Sequence, residues 1–451
     1  MKTSSQNLTT QNIQSLIKQL TIPASVGMFF NTMYNVVDTF YAGLISTQAI
    51  AALSLSFMIF FLIIGFGYGF SSAITALLGN ALGRKKYKLA SIYAHKGLIF
   101  VPLIGLVLSI IGYFTAPWLF TLLGAKEEYL QISIDYINPI LFGAVFFMFN
   151  FSLNSVLVAT GDTKTYRNSL IFGFFANLAL NPLFMYAFFF IPPFGIKGLA
   201  IATVVVQIIN MFYMLYKVLQ TKLIHFEKLE YFIPNFKVYK QFLIHGIPSS
   251  LNMLTMAIGS LILTYFVSHY GMFAVAGFGI GYRVEQLMLL PALGLSTAVL
   301  ALVSNNFGAK KYDRVVEIFT TALKYGFIIS TIGIITLTIL GRFIISLFDD
   351  NPVVVNFGVD FLLVEIWIFY AYVVLFICVS TLQAIKQPQM ILYISLYRQI
   401  FAKLIIAYLI VKYFELDFIY LWFGVLFMIY SAAIFAFFYT NRLLKNLISK
   451  N

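Results

Sequence analysis

A single aspartate interrupts the first apolar segment of the chain. Asp38 lies among apolar, amide and hydroxyl side chains that include Tyr34, with no Lys or Arg within a helical turn. Ionisable groups inside an apolar span are costly to bury and usually serve a function. A carboxyl in this position can gain and lose a proton, or exchange the proton for Na⁺. The alternative is a water-exposed aspartate near the outer end of a tilted helix.

Two asparagines form a second polar feature, in the fifth apolar segment. Asn177 and Asn181 are four residues apart and therefore share one helix face, and Pro182 follows directly. Because proline has no N–H, it frees a carbonyl one turn earlier, around Leu178. The pattern predicts a polar notch that holds a cation or water. Hydrogen bonding between helices is the alternative, because asparagine often has that role in membranes.

Charged residues also lie in the eighth, tenth and eleventh segments. Arg283 and Glu285 are two apart, so a helix directs them to different sides, and each is expected to pair with another helix. A structural ion pair is one interpretation of these two residues, and a substrate contact is the other. Structural ion pairs between the tenth and eleventh segments are also expected, from Asp360, Glu365, Arg398 and Lys403.

The remaining reactive residues indicate no enzyme and no metal centre. The four histidines are scattered without ligand spacing, and Cys378 is the only cysteine, so an intramolecular disulfide is excluded. Pro23 and Pro248 lie early in the first and seventh segments. Each predicts a kink, which serves either a moving part or a static bend.

The composition requires lipid as the solvent for most of the surface. The 451 residues are 61% hydrophobic and 10% charged, whereas soluble domains carry about 25% charged residues. Apolar runs of at least about 20 residues predict transmembrane helices. Twelve such segments lie at 16–44, 51–80, 94–116, 131–158, 168–191, 196–219, 241–268, 275–305, 319–341, 354–384, 391–412 and 418–440.

Lysine and arginine set the orientation of these segments. With this arrangement, 22 of the 29 basic residues lie on the side of the two termini, four lie in the opposite loops and three lie within spans. The positive-inside rule therefore places both termini in the cytoplasm of a multi-pass protein of the cytoplasmic (inner) membrane. Topology explains the net charge of +13, so no nucleic-acid partner is expected.

The chain aligns with itself without gaps after a shift of 225 residues. The Gly-x-Lys-Lys-Tyr motif at 83–87 meets the same motif at 308–312, and Pro23 meets Pro248. An even number of helices per copy gives both copies the same orientation, as in secondary transporters with parallel repeats. The predicted fold is an all-α membrane protein with two parallel six-helix repeats: a first lobe at 1–219, a cytoplasmic linker at 220–240 and a second lobe at 241–451.

Several short motifs carry a family resemblance in their order and spacing. They lie at 23, 37–43, 80–86, 159–164, 177–182, 198–203, 282–291 and 305–310. Together they resemble the MATE (multidrug and toxic compound extrusion) transporters, of the MOP-type group that also contains lipid-linked oligosaccharide flippases. The resemblance implies a two-lobe fold that exports organic, often cationic, compounds in exchange for a cation.

The resemblance also implies an ion site in the first lobe. In the prokaryotic DinF-like branch the coupling residues match Asp38, Asn177, Asn181 and Thr203. Position 181 is Asn where the family has Asp, so the site has one carboxylate, which carries one proton or holds Na⁺ with neutral oxygens. The seventh segment lacks the acidic residue of the NorM-like branch, which favours the DinF-like branch. Residues 384–388, after the tenth segment, lack the family's usual glycines.

These observations predict an antiporter that works by alternating access and is not an enzyme. Its partners would be small organic substrates and membrane lipid, its oligomeric state monomeric, and its only cofactor the coupling ion, H⁺ or Na⁺. Candidates for substrate contact or gating are Tyr34, Pro23, Arg283 and Glu285. One rival is a flippase for a lipid-linked precursor, which would need a cation-lined cleft, and the other is a membrane-embedded enzyme.

Overall fold

A computed structural model describes residues 8–186, 192–225, 229–231 and 233–449. Twelve long helices and their loops make up these residues, and no strand occurs among them. The helices are α1 (Ile13–Ile45), α2 (Thr47–Gly83), α3 (Tyr87–Leu122), α4 (Glu127–Ala159), α5 (Lys164–Met185), α6 (Ile196–Gln220), α7 (Phe236–Val267), α8 (Met272–Gly308), α9 (Tyr312–Ser346), α10 (Pro352–Ala384), α11 (Pro388–Tyr413) and α12 (Phe418–Ser449). The predicted all-α fold is confirmed.

Eleven of these helices, all except α1, are long and apolar enough to cross a membrane. Helix α1 does not meet this criterion, and its second half carries polar residues such as Asn31, Asn35 and Asp38. A helix of 33 residues is about 50 Å long, which exceeds the apolar thickness of a bilayer of about 30 Å and allows tilt. Large apolar side chains such as Phe114 (75% exposed) and Phe427 (71% exposed) face outward, as lipid contact requires.

The helices repeat with the offset found in the sequence. The bounds of α8 follow those of α2 by 225 residues at both ends, and the bounds of α10 follow those of α4 in the same way. The turn between α2 and α3 places Lys85 at φ 57°, and its counterpart Lys310 has φ 58°. The repeat therefore extends from helix lengths to the backbone conformation of single loop residues.

The loop after α10 keeps the backbone of its counterpart although its sequence lacks the glycine. After α4, Gly161 has φ 87° and Asp162 N–H donates to Leu157 O at 2.8 Å. After α10, Lys386 has φ 66° and Gln387 N–H donates to Leu382 O at 2.8 Å. Glycine adopts a positive φ without steric cost, whereas a residue with a Cβ is disfavoured there. Lys386 therefore holds a strained conformation.

We expect Lys386→Gly to stabilise the protein by about 0.5–1 kcal/mol, because the substitution removes the Cβ from a left-handed position. The measurement is the melting temperature of the purified protein in detergent. Lys386→Ala is the matched control: it removes the same charge but keeps the Cβ, so it should bring no gain. Equal stabilisation by both substitutions would point to charge instead of backbone strain.

The chain packs into two compact units whose limits lie inside helices. One unit is Val26–Ser250, and the other contains the described residues up to Ser25 together with those from Leu251 onward. Each limit falls two or three residues after a proline of α1 or α7, Pro23 or Pro248. The units thus differ from lobes divided at 219 and 241, because the first helix of each repeat contributes its opening turns to one unit and its remainder to the other.

The linker expected at 220–240 begins with a segment anchored in the first unit. The Ser91 hydroxyl donates to Leu223 O at 2.6 Å, and His225 N–H donates to His95 Nε2 at 3.0 Å. A 3₁₀ turn at Leu229–Tyr231 follows, and α7 begins at Phe236. The linker residues 226–228 and 232 lie outside the described part of the chain. The anchored segment is continuous with α6, which carries one side of the site described next.

Candidate functional site

Asp38 lies inside the first unit with only 5% of its surface exposed. Asn181 Nδ2 of α5 donates to Asp38 Oδ1 at 3.0 Å, and Thr203 Oγ1 of α6 donates to Asp38 Oδ2 at 3.3 Å. Both carboxylate oxygens therefore have a neutral partner, and each partner comes from a different helix. The water-exposed alternative for Asp38 is wrong, because packing of α5 and α6 closes the site.

The two asparagines of α5 face each other and the carboxylate. Both are fully buried, and each amide nitrogen donates to the other's oxygen, at 3.2 Å from Asn177 and 3.0 Å from Asn181. The spacing of four residues brings the side chains together on one face, as expected from the sequence. Asn177 thus fixes the amide of Asn181, and Asn181 contacts Asp38 directly.

Pro182 breaks the helical hydrogen bonding of α5 at the predicted carbonyl, but the structure gives that carbonyl another role. The Tyr41 hydroxyl of α1 donates to Leu178 O at 3.0 Å. The carbonyl therefore already accepts a hydrogen bond from a tyrosine of α1, and the notch for a cation or water stays a prediction. The two amides make this face of α5 polar. The carbonyl that Pro182 frees links α5 to α1 through Tyr41.

Tyrosines complete the surroundings of Asp38. The hydroxyl oxygen of Tyr34 is buried beside Thr203 and Asn177 and has no hydrogen bond of standard geometry. Tyr136 of α4 is 9% exposed and lies within electrostatic range of Asp38. Sequence reasoning named Tyr34 but missed Tyr136, because nothing in the spacing of α4 indicates which of its faces approaches α1.

The residues present fit a single monovalent cation or a single proton. The carboxylate, the hydroxyls of Thr203 and Tyr34 and the amide oxygens are hard donors of the kind that hard cations take. Each amide carries an acceptor and two donors, so rotation by about 180° turns it from a hydrogen-bond donor into a cation ligand. The Tyr34 hydroxyl lies beside Thr203 and Asn177, in a position to contact an ion at Asp38. Among the described residues no group of three or more His, Cys, Asp or Glu could hold a metal ion.

A second buried cluster of charged residues lies in the other unit. Arg283 is exposed and Glu285 is 2% exposed, so the two point to different sides of α8, as predicted. Glu365 of α10 and Lys403 of α11 lie within electrostatic range of Glu285, and Arg398 of α11 lies near Lys403; all three are less than 10% exposed. Asp360 is only half-buried and takes no part in this cluster.

The ion pairs predicted between α10 and α11 are absent. Across the described residues, the one pair with a nitrogen and a carboxylate oxygen within 4.0 Å is Lys197 with Asp135, at 3.2 Å. Lys403 Nζ donates instead to Gln399 Oε1 at 2.8 Å, and the Arg398 guanidinium lies 5.9 Å from the centre of the Tyr372 ring. The expectation of direct pairing is wrong, because no nitrogen of Arg398 or Lys403 lies within 4.0 Å of a carboxylate oxygen.

The polar sites of the two repeats do not correspond. Asp38, Asn177 and Asn181 are replaced in the second repeat by Leu263, Ala402 and Ile406. Conversely, the first-repeat counterparts of Glu285, Glu365, Arg398 and Lys403 are Phe60, Ile140, Gly173 and Leu178. Each unit is therefore apolar where the other carries its polar cluster, so the two clusters have different chemistry on one architecture.

Comparison with known proteins places this architecture in a family. The MatE family model matches the chain twice, at residues 23–183 and 248–409, which is one match per repeat. A probable multidrug resistance protein of Bacillus subtilis, YoeA, is 27% identical and aligns over 84% of this chain and 83% of its own. A protein of Shewanella oneidensis named as an FAD transporter is 26% identical over 88% of this chain and 87% of its own.

Solved structures show the same fold. One described as the outward-facing conformation of a multidrug resistance MATE family transporter of the MOP superfamily has a TM-score of 0.91 and 23% identity, and the match covers 99% of both chains. The two stretches that the family model matches each begin at a proline in the first helix of a repeat and end in the fifth. The chain therefore belongs to the MatE family of multi-pass membrane transporters.

Proposed function

We propose that this protein exports small organic, often cationic, compounds in exchange for one H⁺ or Na⁺, by alternating access. The observation that carries this proposal is the buried carboxyl of Asp38, which accepts hydrogen bonds from the neutral side chains of Asn181 and Thr203. Burying an unpaired carboxylate is costly. Binding a cation or a proton removes that cost, so the occupancy of the site and the conformation of the protein are linked.

The stoichiometry follows from the number of carboxylates. One acidic side chain in the site neutralises one positive charge, so each cycle would move one H⁺ or one Na⁺. Asn181, where the family has a second acid, contributes an amide that contacts Asp38. A mechanism with two acids is not proposed for this chain.

The relatives support export of organic molecules as the transported class. The Bacillus protein is named a probable multidrug resistance protein, and a Staphylococcus aureus relative that is 22% identical is named a multidrug export protein. The Shewanella relative is named an FAD transporter, so FAD is included as a competitor in the transport assay. The positive-inside pattern supports a cytoplasmic location of both termini. We propose that the protein acts as a monomer in the cytoplasmic membrane.

Transport into everted membrane vesicles tests the proposal and identifies the ion. The vesicles come from a bacterial host without its own efflux pumps, and the probe is dansylcadaverine, a fluorescent primary ammonium compound. An outward proton gradient and an outward Na⁺ gradient are imposed separately. We expect one of them to drive accumulation of the probe, and the matching ionophore to abolish it. Accumulation that is independent of both gradients would contradict ion coupling.

The flippase alternative has less support from the charges in the structure. A pyrophosphate-linked lipid needs a net positive binding surface. Two buried cations, Arg398 and Lys403, share their cluster with Glu285 and Glu365. The cluster has as many acidic as basic side chains, so it does not favour a multiply charged anion.

A further inference from the structure

A groove that opens to the surface of the first unit lies beside the loop between α2 and α3. Its volume is about 640 Å³, and it is lined by Lys85, Lys86, Tyr87, Lys88, Leu89 and Ile92. Small-molecule sites usually have a volume of about 300–1,000 Å³. The three lysines are exposed, whereas Leu89 and Ile92 are partly buried. The groove therefore combines a basic side with an apolar side.

The basic side of the groove has no acidic counterpart. No Asp or Glu occurs between Asp38 and Glu127, so α2, α3 and the loop between them contain none. Among the described residues, no carboxylate oxygen lies within 4.0 Å of the side-chain nitrogen of Lys85, Lys86 or Lys88. Several cations in one place without an acidic neighbour create a positive potential that attracts anions.

The equivalent loop of the second repeat has a different chemistry. The shift of 225 residues replaces Lys88, Leu89 and Ile92 by Asp313, Arg314 and Glu317, respectively. An acidic side chain thus follows at two of these three positions, and no apolar side chain remains. A signal for membrane orientation needs only the lysines and would not require the apolar residues beside them. The combination of charge and apolar surface is specific to the first repeat.

The chain itself binds the basic residues of the second-repeat loop. Lys311 Nζ donates to Thr9 O at 2.9 Å, and Arg314 Nη2 donates to Gln11 O at 2.7 Å. Lys86 is the counterpart of Lys311, and its side chain is exposed. The first-repeat loop therefore presents its lysines at the surface, where an anion from outside the chain can reach them.

The groove lies at the depth of lipid headgroups. Helix α3 has 36 residues and is therefore about 54 Å long, whereas the apolar core of a bilayer is about 30 Å thick. The first turns of α3, which line the groove, extend beyond this core. The positive-inside rule places this end of α3 in the cytoplasmic leaflet, whose surface is negative because of its anionic lipids.

We infer that this groove binds one anionic glycerophospholipid of the cytoplasmic leaflet. Its phosphate contacts Lys86 and Lys88, and the upper part of one acyl chain lies along Leu89 and Ile92. Lysine stems pack along apolar surface while their ammonium groups remain among polar groups, which suits this arrangement. A soluble phosphate would use the lysines alone and leave the apolar side in water. The inference does not depend on the export proposal.

Native mass spectrometry of the purified full-length protein tests this site. Dioleoyl phosphatidylglycerol and dioleoyl phosphatidylcholine are added in equal amounts; they have the same acyl chains, but only the first has a net negative charge. The measured quantity is the ratio of the two complexes that contain one lipid. We expect at least about ten-fold more of the phosphatidylglycerol complex, because each lysine near the membrane surface adds a several-fold preference for anionic lipid.

Three variants separate the basic side of the groove from the apolar side. Lys86→Gln combined with Lys88→Gln should reduce the preference to about two-fold or less. Lys310→Gln combined with Lys324→Gln removes two exposed lysines of the second unit and should leave the preference unchanged. Ile92→Gln should weaken both lipids at least about three-fold and retain the preference, because it removes an apolar contact with the chain. Gel filtration checks that each variant is folded.

Equal binding of the two lipids by the unaltered protein would overturn the inference, and so would an equal loss of preference in both double variants. Glycerophosphoglycerol, the soluble head group without acyl chains, should leave the lipid complex intact. Displacement of the lipid by an equal concentration of this head group would indicate a site for soluble anions instead. Failure of the export proposal would appear in the vesicle assay and would not change these lipid ratios.

Discussion

Asp38→Asn is expected to reduce ion-driven accumulation of dansylcadaverine in vesicles to the level of vesicles without the protein. The substitution keeps the size and shape of the side chain and retains an oxygen that accepts from Asn181 or Thr203. It removes the negative charge that a proton or Na⁺ neutralises, so the site no longer gains free energy by binding that ion. We therefore expect the variant to insert and fold, to bind dansylcadaverine as before, and to lose coupling.

Asp135→Asn is the matched control for this prediction. Asp135 lies in the same unit and forms a partly exposed ion pair with Lys197, a contact worth about 0–1 kcal/mol. The control should therefore transport at the rate of the unaltered protein under both ion gradients. Undiminished gradient-driven transport by Asp38→Asn would refute the assignment of the coupling site to Asp38.

Gly69→Ala is expected to destabilise the protein by about 1–3 kcal/mol although it adds only one methyl group. Gly69 of α2 packs against Ser250 of α7, and a Cβ at position 69 would overlap the backbone N and Cα of Ser250. A backbone cannot move aside as a flexible side chain can, so the two helices must separate. The loss should appear as a lower melting temperature in detergent, and Gly69→Leu should give no folded protein.

The second repeat makes the same contact, and this supplies a further test. Gly294 of α8 meets Ser25 of α1, and a Cβ at position 294 would overlap the backbone of Ser25 in the same way. Gly294→Ala should therefore destabilise by a similar amount. Gly279→Ala, also in α8, is the control, because a Cβ at that position would meet nothing within 4 Å. A melting temperature for Gly69→Ala as high as that of the control would contradict the packing argument.

The close contacts at these glycines follow the sequence repeat, but their partners do not follow from the sequence. The 225-residue shift pairs Gly69 with Gly294 and Ser25 with Ser250. It does not reveal that each glycine contacts the serine of the other copy. Packing decides this. The opening turns of α1 and of α7 each belong to one unit, and the remainder of the same helix belongs to the other unit.

The candidate ion site was largely predictable from sequence, since its members are polar groups where lipid or core should be. Asp38 and the two asparagines stand out by the cost of burying them, and the helical spacing of the asparagines fixes their shared face. The contribution of Thr203 came only from the family resemblance. The roles of Tyr136 and Tyr41 needed the structure, because tyrosines are common throughout this chain and their contacts depend on helix packing.

The charged cluster of the second unit shows the limit of reasoning from residue types. Two acidic and two basic residues in neighbouring helices predicted ion pairs, and the structure places each cation on a neutral partner instead. Sequence determined this protein's helices, their number and the twofold repeat, because apolar length and a constant offset are local properties of the chain. The tertiary structure alone decided which polar groups meet, because their distances depend on how helices far apart in the sequence pack together.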